Sequence, residues 1–169
     1  PTRGVSSAPA MTTTTVKFCS SIESSSMSTW ERVYRKDDKR FNRKRQKKDK
    51  KLDCLQSWGV NRISFGVQSF RAEKLNTLQR NHTGKEAVAA IELAAKIFNN
   101  LSIDLIFGAP GETTSQWEED LQTALALPIQ HLSTYALTYE KGTQFWNQRR
   151  QGAIKPVDEQ TEVEMYQAA

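Results

Sequence analysis

The sequence predicts an α/β domain built on a parallel sheet, from three observations. Short apolar, β-branched or aromatic runs alternate with amphipathic helical stretches, in the order strand, helix, strand, helix, strand, helix. The spacing is about thirty-five residues per unit, enough for a helix to carry the chain back and set the next strand parallel. Polar residues within or just after the runs gather toward their carboxyl ends, where parallel α/β folds meet their ligands. A doubly wound sheet and a (β/α) barrel both satisfy this pattern. Three strands are too few for a barrel to close or for an open sheet to cover its edges. Residues 52–169 are therefore expected to be a piece of a larger domain, and a chain that starts at Pro1 and stops inside the helical "EMYQAA" fits that expectation.

Each element has its own signal. "LDCLQSWGV" reads as the end of an amphipathic helix with Gly59 just past it as a cap, and "RISFGV" as a short buried strand. "RAEKLNTL" gives a short helix. "TGKEAVAAIELAAKIFNN" gives a longer one whose apolar face is Val88, Ile91, Ala95 and Phe98. "LSIDLIFGAP" is the next strand. "TTSQWEEDLQTALAL" follows as a helix opened by a Thr or Ser cap, with acidic residues in its early turns where the helix dipole favours them. "HLSTYALTY" is a third strand, and "TQFWNQRRQGA" and "DEQTEVEMYQAA" are two further helices.

The net charge of +5 is unevenly spread. Residues 31–51 hold 12 Lys and Arg against 4 Asp and Glu, whereas residues 52–169 hold 10 against 14. The basic character thus belongs to a tract and not to the folded zone, which argues against nucleic acid as that zone's partner. "RKDDKRFNRKRQKKDKK" repels itself and buries little apolar surface, so residues 1–51 are expected to form a separate disordered or aberrant Ser/Thr-rich and basic segment. For an RNA-binding role the tract offers only Tyr34 and Phe41 as stacking aromatics. The two cysteines, Cys19 and Cys54, lie far apart and make neither a disulfide framework nor a CxxC metal pattern, which points to an intracellular, cytoplasmic location. No apolar run reaches the length of about 18 residues that a membrane-spanning helix needs.

Against this background a few polar residues stand out. Gln68 and Ser69 close the first strand. Asp104 lies inside an otherwise apolar strand, and burying an unpaired carboxylate there would cost several kcal/mol, so it calls for a cation or hydrogen-bond donors. Arg80, in the preceding loop, is the nearest cation in sequence. Asp104 serves equally well as a ligand for a cofactor or as a stitch at the sheet edge, and Gln68 as a ligand or as the holder of its own loop. His82 reads as a helix-entry or surface histidine. "GAPGET" lacks the Lys-Ser/Thr of a phosphate loop and reads as a tight turn feeding a capped helix.

In order, "GVNRISFGVQSF", "LQRNHT", "SIDLIFGAPGET", "WEEDLQTALAL", "HLSTYALTYEKGT" and "DEQTEVEMY" resemble the HemW branch of the radical S-adenosylmethionine (SAM) superfamily, over about residues 52–169. These proteins are similar to oxygen-independent coproporphyrinogen III oxidase of porphyrin biosynthesis. The resemblance implies a partial (β/α)6 barrel of the TIM-like kind, of which this chain carries the C-terminal half: the fourth, fifth and sixth strands. It also implies that Gln68, Arg80, Asp104 and, through its backbone, Thr138 line the SAM site. Gln68 would offer a donor and an acceptor, Arg80 a cationic fork for a carboxylate, and Asp104 a partner for Arg80 or for a hydroxyl or amine of the cofactor.

The departures from the family pattern are equally specific. The family holds a 4Fe-4S cluster on a CxxxCxxC loop, whereas Cys19 is followed by "SSIESSSMS". The GGGTP-like segment and the acidic residue of the third strand are also missing, and the heme motif of the family's C-terminal domain would fall beyond Ala169. The expectation is a fragment of a heme chaperone whose parent binds SAM, a 4Fe-4S cluster and heme and serves heme-accepting respiratory proteins, with no catalytic or metal-ligating residue of its own. The alternatives are an oxygen-independent coproporphyrinogen III oxidase, against which "QRNHT" speaks, and a non-enzymatic basic-tail protein that binds nucleic acid.

Overall fold

The computed structural model describes residues 51–169 and the backbone of residues 15–18. Four strands form one parallel sheet in the order β1 (Thr15–Phe18), β2 (Arg62–Gln68), β3 (Leu101–Phe107) and β4 (His131–Ala136). Each strand lies beside its neighbour in sequence. A doubly wound sheet reverses its strand order at a switch point, so this strictly sequential order is that of a barrel wall.

The register sorts the side chains onto two faces, because strand residues alternate. Ile63, Phe65, Leu101, Ile103, Leu105, Phe107, Leu132 and Ala136 share one face and belong to the apolar core or pack against it. Ser64, Gly66, Ser102, Asp104, Ile106, His131, Ser133 and Tyr135 occupy the other. The core thus sits on one side of the sheet, and the opposite face carries hydroxyls, a carboxylate and an imidazole.

Five helices connect and follow the strands: α1 (Ala72–Thr77), α2 (Gly84–Ala94), α3 (Thr114–Leu125), α4 (Gln144–Arg150) and α5 (Glu159–Ala168). Residues 51–57 are also helical, and Gly59 beyond them takes the left-handed φ of 80° expected of a cap. Capping boxes open α2 (Thr83 with Glu86) and α3 (Thr113 with Gln116), and Asp158 caps α5. In α3 Gln116 reciprocates the cap in the first turn, and the acidic residues of the early turns, Glu118, Glu119 and Asp120, fall in the second. Of the four residues expected on the apolar face of α2 and its continuation, Ile91 and Phe98 are buried, while Val88 and Ala95 are half-buried beside a buried Ala94. Gly84 admits no side chain, since a Cβ there would lie 2.1 Å from the carbonyl oxygen of Phe70.

Trp117 anchors the helical layer. It is fully buried, stacks obliquely on Phe107 with ring centroids 5.4 Å apart, and donates its indole N–H to Met165 O at 2.8 Å, which ties α5 to α3. Burial of a side chain of this kind contributes on the order of 2–3 kcal/mol.

The segment expected to be disordered needs one correction. Thr15–Phe18 pairs with β2 from Thr15↔Arg62 to Phe18↔Phe65. A tetrapeptide with two β-branched residues and an aromatic one, beside an open strand edge, can satisfy the hydrogen-bonding groups of that edge, which a low overall apolar content does not prevent. The basic tract over residues 31–50 lies outside the described residues, as does Cys19.

Candidate functional site

The carboxyl end of β2 is where the backbone departs most from regularity. Gln68 has φ of 68°, one of two non-glycine residues with positive φ among those described, and it is 5% exposed. Pairing with β3 slips there, from Gly66↔Asp104 to Gln68↔Leu105, so one extra residue of β2 is accommodated as a bulge. A left-handed glutamine costs about 1–2 kcal/mol, and such strain persists only where surrounding contacts impose it. Those contacts are visible. His82 Nε2 lies 2.9 Å from Val67 O, and the Ser69 N–H donates back to the same carbonyl at 2.9 Å. His82 therefore does more than enter a helix; it holds the residue that precedes Gln68.

Asp104 sits at the middle of β3 between Gly66 and Ser133 and is half-buried. The partner found for it is Ser64, whose Oγ donates to Oδ1 at 3.3 Å. Arg80 follows α1, half-buried, with its backbone N–H donated to Leu75 O at 2.8 Å. Thr138 lies two residues past β4 and is exposed, just beyond the Leu137 N–H that donates to Phe107 O at 2.8 Å. Gln68 and Thr138 thus share the carboxyl end of the sheet, and Asp104 lies one step below on the polar face. Next to Thr138, burial holds the Tyr139 phenol above its ordinary range, with Arg149 opposing and Glu162 reinforcing the shift.

Sequence reasoning missed the most heavily partnered part of the site. Lys74, in α1, is buried and ion-paired to both Glu112 and Asp120, the latter at 3.1 Å; the three side chains are 5%, 3% and 0% exposed. Its ammonium also lies 5.0 Å from the centre of the Trp117 ring. Asp120 accepts from Ser69 Oγ at 2.6 Å and from the Phe70 N–H at 2.8 Å. Glu112 accepts from the Ala109 N–H at 3.0 Å. "GAPGET" is therefore a turn, as read, but one closed by a buried glutamate. Lys74 was legible only as a surface residue of a short helix, and nothing in its spacing marks it as buried.

Residues 29–124 match the Radical SAM superfamily, and the chain belongs to that superfamily. Among curated proteins it is 41% identical over 118 residues to the heme chaperone HemW of Bacillus subtilis, covering 69% of this chain and 31% of that protein. The coproporphyrinogen III oxidase HemN of Escherichia coli, a radical SAM enzyme, superposes with a TM-score of 0.60 at 29% identity, covering 70% of this chain and 27% of HemN. The archaeal Elp3 of Methanocaldococcus infernus superposes with a TM-score of 0.63 at 21% identity, a likeness of fold. The chain spans about a third of the length of the HemW it matches, and the sheet described above is the C-terminal part of the radical SAM barrel.

The family implies two groups, and the residues fit them unequally. SAM carries a carboxylate, an amine and a sulfonium. A buried side-chain amide at Gln68, a guanidinium at Arg80 and a carboxylate at Asp104 are chemically matched to it. A 4Fe-4S cluster needs three thiolates, and Cys19 and Cys54 are the chain's two cysteines. These 169 residues do not match the cluster's donor set.

Proposed function

We propose that these residues form the SAM-contacting part of a HemW-like radical SAM protein that handles heme. Support comes from the 41% identity to a HemW over 118 residues and from the family match across residues 29–124, which include Gln68, Arg80 and Asp104. The observation that carries the reading is Gln68 itself, a buried glutamine held left-handed at a bulge on the carboxyl edge of the sheet. In this reading Gln68 orients the cofactor through its amide, Arg80 takes its carboxylate, Asp104 takes its amine or a hydroxyl, and the backbone near Thr138 closes the far side. SAM, when bound, supplies a sulfonium that can be cleaved; with two cysteines the chain is proposed to bind it without cleaving it. Residues 52–169 are proposed as the unit that carries the site, with Thr15–Phe18 added to the edge of its sheet. Heme and heme-accepting respiratory proteins are the proposed partners of the whole protein, and an intracellular location is proposed with them. Among the described residues no helix is long and apolar enough to cross a membrane.

Anaerobic incubation of the purified protein with iron, sulfide, dithionite and SAM tests this. The expected result is saturable SAM binding without release of 5′-deoxyadenosine; its release would contradict the proposed inactivity, and absent binding would contradict the site. The likeness to HemN favours a second reading, an oxygen-independent coproporphyrinogen III oxidase. Carbon dioxide release from coproporphyrinogen III in the same vessel would support it over heme handling.

A further inference from the structure

Two loops at the carboxyl edge of the sheet, separated by some forty residues of chain, are joined through one ammonium. The loop after β2 is bound by Asp120, which takes the Ser69 hydroxyl and the Phe70 N–H. The loop after β3 is bound by Glu112, which takes the Ala109 N–H on Oε2. Both carboxylates meet at Lys74 Nζ, Glu112 through its other oxygen, Oε1. Glu112 therefore has the loop on one oxygen and the ammonium on the other, whereas in Asp120 the ammonium shares Oδ2 with the Ser69 hydroxyl and the Phe70 N–H takes Oδ1; all three side chains are at least nine-tenths buried. In such a setting a change at one end is not absorbed by water, because the charges have little solvent to turn to.

A salt bridge that only stabilised the fold would have no need to reach the backbone of two loops. The residues it reaches are also telling: Ser69 and Phe70 directly follow the left-handed Gln68, and Ala109 directly follows Gly108 at the end of β3. We infer that Lys74 is a positioning residue that couples these two loops, so that the conformation of the β2 loop, and of Gln68 with it, depends on Glu112 across the sheet. The inference rests on the proposed role of Gln68 in SAM binding only for its consequence; the coupling stands or falls separately.

Amide exchange in the purified 169-residue protein tests the coupling. Glu112→Gln keeps the volume and leaves the Lys74–Asp120 pair in place. It is expected to speed exchange at the Phe70 amide on the order of fivefold, although Phe70 is bound by Asp120 and not by Glu112. Asp120→Asn is expected to do the same at the Ala109 amide. Lys74→Arg, which retains a cation, should disturb both amides less than Lys74→Met; should Lys74→Met fail to fold, the two carboxylate variants decide. Effects confined to each variant's own loop would overturn the inference.

SAM affinity supplies the second readout. Glu112→Gln is expected to weaken it on the order of tenfold, whereas Leu121→Ala, a core variant of comparable or greater stability loss, should leave it unchanged. Cross-loop exchange with unaltered SAM affinity would overturn the positioning role. If the wild-type protein binds no SAM, the proposed function fails, and the exchange data alone still decide the coupling.

Discussion

The half of the fold from β2 to α3 and the half from β4 to α5 are held by different means. β3 has strands on both sides and is buried over most of its length, and α3 buries Trp117, Asp120, Leu121 and Ala124. β4 ends the sheet with no fully buried residue, α4 buries none, and α5 buries Met165. Arg149 and Arg150 lie over the rings of Tyr139 and Trp146, contacts that contribute less than about 1 kcal/mol each at exposed sites. The strained Gln68 belongs to the first half, where a buried ionic network can hold it, and Thr138 to the second. The proposed site, which takes Gln68 from the first half and Thr138 from the second, would have one buried wall and one exposed wall.

The largest expected effect comes from cutting the bond between the halves. Trp117→Ala removes the core ring and the Met165 anchor together and should cost about 3–5 kcal/mol in denaturant unfolding. A smaller cost, with α5 still protected from exchange, would show that the second half stands independently. Asp120→Asn acts wholly within the first half. It removes a charge opposite a buried lysine and should cost about 3 kcal/mol, measurable as a lowered denaturation midpoint.

Gln68→Gly should move stability the other way. Glycine adopts the left-handed region without penalty, so the variant is expected to gain up to about 1 kcal/mol while losing SAM affinity. Thermal unfolding beside a binding titration checks both signs, and a destabilised variant would mean that the glutamine side chain contributes more than its backbone strain costs.

The smallest effect belongs to the second half. The folded state raises the Tyr139 pKa, chiefly by burial. The unfolded chain therefore loses the phenolic proton first, and the stability associated with Tyr139, complete below its unfolded pKa, is lost as pH rises through the folded one. Unfolding midpoints measured upward from neutral pH should fall in that alkaline window, and Tyr139→Phe should flatten that part of the profile.

Periodicity made the strand and helix order legible. Composition hid Thr15–Phe18, because four residues that pair with an existing edge leave no mark in a tract average. Gln68 and Asp104 were visible as polar residues in apolar runs, since burying an amide or a carboxylate needs a reason. Lys74, Glu112 and Asp120 were invisible: each looks at home on a helix surface or in a turn, and only the meeting of α1, α3 and the turn before α3 turns three charged residues inward. A charge network assembled from separate elements has no period and no local motif, so the fold has to be known before it can be seen.

The most direct test of the account is hydrogen exchange of the purified 169-residue protein with and without SAM, read at residues 67–71 and 102–109. The account predicts saturable slowing at both stretches, strongly reduced in Gln68→Ala and Asp104→Ala. Unchanged exchange at saturating SAM, or protection confined to other segments, would contradict it.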